Sequence, residues 1–171
     1  AMSRALDVDD VRVTGCTFLK NGSGSAMEIG HECRTDRMGG IVFSDCDVVC
    51  VHNHGAVFSI NNCDRALIED VLFEKVRVEH HYDQLIGFRI VESRWSRDAE
   101  RGQVRKVRLS EIDVVVSPMN PGYTLSVIGG FDAEHTIEDV TIENLRYNGE
   151  PVKDANTLDL YCRNAKNVVI R

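Results

Sequence analysis

Proline, aromatic rings and clustered basic charge are what this sequence has least of. Aromatic residues make up 6% of the chain, with a single Trp. That is low for an antiparallel sandwich or barrel, where large rings commonly fill the core. No apolar run approaches the roughly 20 residues that a membrane-spanning helix needs. The 20 Lys and Arg residues are outnumbered by 27 Asp and Glu, for a formal charge of −7, and they are dispersed rather than gathered in a patch. A phosphate backbone is therefore a poor partner, and neither nucleic acid nor a membrane is expected to bind. The six cysteines, Cys16, Cys33, Cys46, Cys50, Cys63 and Cys162, form no Cys-x-x-Cys pair and no zinc-finger spacing. No metal and no cofactor is expected from them. The opening Ala1-Met2-Ser3-Arg4 has no apolar h-region, and Ala1 before Met2 reads as a cloning scar, so localisation is left open.

What the chain does have is β-branched residues. There are 22 Val and 11 Ile against 10 Leu and 9 Ala, with only 3 Pro, in 171 residues that hold 43% hydrophobic side chains. Stiff β-branched side chains favour strands over long helices, and the length suits one domain with an ordinary core.

A repeat organises those strands. Taking Val11, Ile41, Val71, Val107, Val140 and Val168 as anchors, the residues two further on are Val13, Phe43, Phe73, Leu109, Ile142 and Ile170. At five further on stand Cys16, Cys46, Val76, Ile112 and Leu145, and at seven Phe18, Val48, Val78, Val114 and Tyr147. The fourth positions, Gly15, Asp45, Lys75, Glu111 and Asn144, are small or polar and read as a bend. A second family of strands lies before the anchors: Ala26 to Gly30, Ala56 to Asn61, Leu85 to Val91, Leu125 to Gly129 and Leu158 to Tyr161. A unit of about 30 residues with strands and no helix cannot bury its own apolar face, so it must stack on its copies. Stacked coils about 4.8 Å apart make parallel sheets. The reading is an all-β fold, a parallel β-helix of about five to six coils forming one domain over residues 1–171, or a piece of a longer one. A β-sandwich is the alternative, but neither Asn21-Gly22 nor Asn148-Gly149 reads as a two-residue hairpin between equal alternating runs.

Aligning Ile29, Ile60, Ile90, Val127 and Leu160 as inward positions gives one outward column: Glu28, Ser59, Arg89, Ser126 and Asp159. Its neighbours include His31-Glu32 and His52-Asn53-His54-Gly55, so titratable groups gather at one sheet edge, as a cleft for carbohydrate chemistry requires. Cys16 and Cys46, both inward, are expected as free buried thiols rather than a bridge. His52 and His54 share a face if extended, but surface histidines without a ligand role are the commoner case. Asn61-Asn62 and Asn164 are read as turn residues. The insertion Glu92 to Gln103 holds Trp95, which either stacks on a sugar ring or packs the loop onto the coil. A second insertion, Ser117 to Thr124, and the turn Gly129 to His135, with Asp132 and His135, are placed to wall a groove.

The run His54-Gly55-Ala56-Val57-Phe58-Ser59-Ile60, with Ala66 to Glu74 after it, resembles the His-Gly strand and following coil of polygalacturonases, the family 28 glycoside hydrolases. Gly87-Phe88-Arg89-Ile90-Val91 is similar to their Arg-Ile-Lys strand, and Ile137 to Val152 to their late coils. The resemblance implies a right-handed, pectin lyase-like β-helix, a galacturonan-like polysaccharide or oligosaccharide as partner, and a secreted or periplasmic location. Only His54, Gly55 and Arg89 carry over. Gly24-Ser25 stands where the family has paired aspartates, and Val91 replaces its lysine. Glycosidic hydrolysis needs two carboxyl groups about 5 Å or about 6.5–9.5 Å apart. Asp159, four coils from Glu28 and so about 19 Å away, cannot be the second one. Glu32 is the local candidate. The candidate catalytic set is thus Glu28, Glu32, His54 and Arg89, and the candidate substrate-binding set is His52, Ser59, Trp95, Ser126, Asp132 and His135. The alternative is a non-catalytic carbohydrate-binding or assembly module of the same fold. Anchor strands near both ends predict self-association through open solenoid ends, a homo-oligomer.

Overall fold

The anchor strands pair in the register that the repeat requires. The structure, a computed structural model, describes residues 6–115 and 125–171. Its strands are β1 (Val11–Thr14), β2 (Thr17–Lys20), β3 (Met27–His31), β4 (Arg37–Val51), β5 (Ala56–Asn62), β6 (Leu67–Val78), β7 (Gln84–Ile90), β8 (Gln103–Val114), β9 (Ser126–Gly129), β10 (Ile137–Tyr147), β11 (Glu150–Pro151), β12 (Leu160–Arg163) and β13 (Ala165–Ile170). No helix occurs among the described residues. The chain is a parallel β-solenoid of about five turns, which fits a parallel β-helix.

Two sheets build it. The larger runs β1-β4-β6-β8-β10, with β2 beside β4 and β13 beside β10. Val11 pairs with Ile41, Ile41 with Val71, Val71 with Val107, Val107 with Val140 and Val140 with Val168, so every anchor faces the next. These long strands turn corners at left-handed residues. One ladder of them is Asp10, Gly40, Asp70, Lys106, Asp139 and Asn167, each just before an anchor, with φ between 52° and 63°. A second ladder is Gly15, Asp45, Lys75, Glu111 and Asn144, the positions read as bends. Gly, Asn and Asp carry most corners because they visit this region at least cost, and Asn164 (φ 48°) is a further such turn.

The smaller sheet runs β12-β9-β7-β5-β3, one strand per turn. Between the sheets lie the stacked columns, with Ile41, Val71, Val107 and Val140, then Phe43, Phe73, Leu109 and Ile142, all buried. Phe73 sits at the centre of a ring cluster, 5.2 Å from Phe43, 5.1 Å from Phe58 and 6.2 Å from Phe88 between centroids.

Four sequence expectations need correction. Cys46 is buried, but Cys16 is exposed on the first coil, where Val11 is also open; all six cysteines are free. Asn148-Gly149 does form a two-residue hairpin, pairing Tyr147 with Glu150, because both residues adopt positive φ. Asn61 and Asn62 are not turn residues but the end of β5. Asn62 is buried, and its amide donates to the Ala66 carbonyl at 2.7 Å. The register of the smaller sheet also differs. Ile60 faces Phe88 and Phe88 faces Ile128, so Arg89 pairs with Asn61 rather than Ser59. The observed outward column is Glu28, Ser59, Gly87, Val127 and Tyr161. Ser126 and Asp159 fall out of it.

Candidate functional site

On the outer face of the smaller sheet, three successive coils frame a cavity of about 500 Å³, lined among others by Glu28, His31, Ser59, Asn61, Asp83, Gln84 and Arg89. Its shape follows from strand chemistry. Val57 with Phe58, and Leu85 with Ile86, are consecutive core residues, so alternation is interrupted in both strands. Ala56 and Ser59, then Gln84 and Gly87, are left on the outside. Gly87 supplies no side chain at the centre of the floor. A Cβ there would lie 3.1 Å from the Ala56 Cβ and 3.3 Å from Gln84 Oε1. Gly55 is required at the rim, since at φ 140° a Cβ would lie 1.7 Å from the Gly24 carbonyl oxygen.

Glu28 is the most heavily supported group. Its Oε1 accepts from Asn61 Nδ2 at 2.8 Å and Ser59 Oγ at 3.5 Å, and lies 3.1 Å from His31 Nε2. Asn61 Nδ2 also donates to Ser59 Oγ at 3.0 Å. The side chain of Glu28 keeps 23% of its surface exposed, so the carboxylate is held from below and open from above.

The other half of the cavity is built around Asp83 and Arg89. Asp83 Oδ2 accepts the Gly55 N–H at 3.0 Å and lies 3.8 Å from His54 Nδ1. Arg89 donates to Gln84 Oε1, whose amide donates to the Leu125 carbonyl at 2.7 Å. Burial lowers the pKa of Arg89, opposed by the charge of Asp83. Burial likewise lowers that of Lys20, against the pull of Asp83 and Glu28; its Nζ donates to the carbonyls of His52 at 3.3 Å and His54 at 3.1 Å. Arg89 and two carboxylates thus share one concave face, with Lys20 behind its rim on the carbonyls of His52 and His54.

Of the residues expected from sequence, Glu28, His54, Ser59 and Arg89 line this cavity. Glu32 does not. It is His31 that reaches back to Glu28, while Glu32 is exposed and lies on the side of Cys33 and Cys63. His52 is exposed outside the cavity, its ring 5.2 Å from Tyr82 and 6.3 Å from His80. Ser126 is buried, with Oγ accepting the Ile86 N–H at 3.2 Å, because it lies two residues from Ile128 and so on the inward side of β9. Trp95, 39% exposed, carries the Arg94 guanidinium 4.8 Å above its ring and does not line the cavity. Asp132 and His135 close their own turn, with Asp132 Oδ1 accepting the Glu134 and His135 amides. They too lie outside the cavity. Ser117 to Thr124 lie outside the described residues.

Sequence reasoning missed Lys20, Asn61, Asp83 and Gln84 as site residues. Asn61 was legible, two residues from Ser59 and so on the same strand face. Asp83 comes from the bend before β7, whose path no local pattern fixes, and Lys20 ends β2 in the larger sheet, which the column pattern of the smaller sheet does not reach. Among the described residues, no three His, Cys, Asp or Glu side chains gather as a metal site would need. No family model, curated protein or solved structure matches the chain.

Proposed function

We propose that this face is the glycan-binding groove of a polysaccharide-active β-helix protein, polygalacturonase-like in its use of His54, Gly55 and Arg89. One observation carries the reading: donors and acceptors from three coils converge in a single open cavity around Glu28, with cationic Arg89 and Lys20 beside it. Planar amides, a carboxylate and a guanidinium on rigid strands are the groups that fix sugar hydroxyls, and the cations favour an acidic glycan such as a galacturonan. The short Gly87 leaves room for a ring over the strand face.

A second reading, hydrolysis, is favoured by the presence of Asp83 in the same cavity, since two carboxyl groups are the minimum for the reaction. In that case Glu28 acts as acid or base and Asp83 as its partner. The test is a panel of neutral and acidic oligosaccharides, followed by calorimetric titration and by product release. Binding that Arg89→Ala and Asn61→Ala abolish supports the groove. Turnover that Glu28→Gln and Asp83→Asn abolish, with binding retained, supports hydrolysis. Binding without turnover supports the non-catalytic module, and no binding to any glycan refutes the reading.

A further inference from the structure

Behind Glu28 runs a line of hydrogen bonds that begins in the insertion loop. The Trp95 backbone N–H donates to Ser93 Oγ at 3.1 Å. The Ser93 hydroxyl donates to Cys63 Sγ at 3.4 Å. Cys63 Sγ lies 3.8 Å from His31 Nδ1, and His31 Nε2 lies 3.1 Å from Glu28 Oε1. The direction of this line is fixed at its start. A backbone N–H only donates, so Ser93 Oγ accepts there and its single hydrogen goes to the sulfur. The thiol then has one hydrogen of its own to give, and Nδ1 of His31 is the acceptor beside it. An imidazole that accepts at Nδ1 carries its hydrogen on Nε2, which faces Glu28.

The geometry points to Cys63 and Ser93 as positioning residues that hold His31 in its Nε2–H tautomer, so that His31 donates to Glu28 Oε1 and leaves Oε2 for a ligand. This rests on the reading of the groove as a ligand site only for what Oε2 meets. Three observations support it independently. Asn61, Ser59 and His31 all converge on Oε1. Among the described residues, no hydrogen bond reaches Oε2. Cys63 is fully buried, and burial raises its pKa, so it persists as the thiol that the line requires. The insertion from Glu92 to Gln103 also gains a role. Asp64 Oδ1 accepts the Arg97 and Asp98 amides at 2.6 and 2.8 Å, and Arg101 donates to the Cys63 carbonyl, so the loop is fastened beside the residue it orients.

The experiment is histidine-selective 15N NMR on the whole chain, with His31→Gln to assign the His31 signals. The expected result is a dominant Nε2–H tautomer in the wild type. Cys63→Ala should lower the ratio of Nε2–H to Nδ1–H by about five-fold, the factor that one net hydrogen bond supplies. Ser93→Ala, in the loop and at one remove, should lower it by less, and Cys63→Ser, which keeps a donor, should retain it. An Nδ1–H tautomer in the wild type, or an unchanged ratio in a folded Cys63→Ala, overturns the assignment. Should Cys63→Ala not fold, Ser93→Ala decides, an unchanged ratio there counting against it. Because the readout needs no ligand, failure of every glycan to bind would refute the groove reading while leaving this result standing.

Discussion

Replacing Phe73 by Ala tests the packing that holds the solenoid together. Phe73 is wholly buried and touches three other rings, stacked on Phe43 and Phe88 and edge-on to Phe58. Removing a buried phenylalanine costs about 3–5 kcal/mol through lost transfer energy and the cavity left behind. Ring pairs of this geometry add about 0.5–1.5 kcal/mol each beyond area burial. The strands on either side are tied into parallel ladders and cannot collapse inward, so the upper end, about 4–5 kcal/mol, is expected. That is a large part of a total stability of about 5–15 kcal/mol. In thermal unfolding it corresponds to about 8–20 °C, taking about 2–4 °C per kcal/mol for a chain of this size. Urea unfolding of wild type, Phe73→Ala and Phe18→Ala gives the comparison. Phe18 is only half-buried, and its loss should cost about 1–2 kcal/mol. A double-mutant cycle with Phe58→Leu and Phe73→Leu should return a coupling of about 1 kcal/mol. A loss below about 2 kcal/mol for Phe73→Ala, or one equal to that of Phe18→Ala, would refute the ring cluster as the centre of the core.

Acid should destabilise the protein through Glu69 and Glu143. Glu69 is bonded by Arg37 and Arg105, and Glu143 by Arg108 and Arg171, which lowers both pKa values. A carboxylate depressed in the folded state stabilises fully above its unfolded pKa, about 4.3, and loses that contribution as pH falls through the folded value. Urea midpoints should therefore drop between neutral pH and about pH 3, and Glu69→Gln should flatten the slope; a pH-independent wild type would contradict this. Gly55→Ala should cost at least about 3 kcal/mol or prevent folding, since it combines positive φ with a collision against Gly24; near-neutral calorimetry would refute the rim geometry. Gly87→Val should cost some stability, its Cβ lying 3.1 Å from the Ala56 Cβ, and in the folded protein should weaken glycan binding by about ten-fold or more, about 1.4 kcal/mol, because its methyls enter the cavity. Unchanged affinity in a titration would move the ligand elsewhere.

The larger sheet was legible because each of its coils repeats the same chemistry at the same offsets. The residues at two, five and seven after each anchor are apolar in every coil, and the bend at four falls where the left-handed ladder forms. Lys75, Lys106 and Glu111 hold that conformation with no compositional hint, so only the stacking of equivalent corners reveals them. The first coil departs from the pattern for a physical reason. Cys16 occupies an inward offset but has no coil on its far side among the described residues, and so it is exposed.

The smaller sheet was legible in its face and illegible in its columns, and the difference is one of parity. Aligning Ile90 with Ile60 slips β7 by two residues from its true partner Phe88. A slip of one would have turned every side chain to the other side; a slip of two keeps each on its own side and moves it one pair along the strand. Arg89 therefore still lines the groove, beside Asn61 instead of Ser59, and the titratable cluster around Glu28 survives the error. Ser126 does not survive it, because the equivalent slip in β9 is odd and carries its hydroxyl to the Ile86 amide. The source of the ambiguity is the pair of consecutive core residues in each strand, Val57-Phe58 and Leu85-Ile86, which break the alternation that fixes register. The same interruption is what sets Gly87 at the centre of the floor and opens the cavity. The irregularity that hides the site from a pattern search is thus the feature that makes room for a ligand.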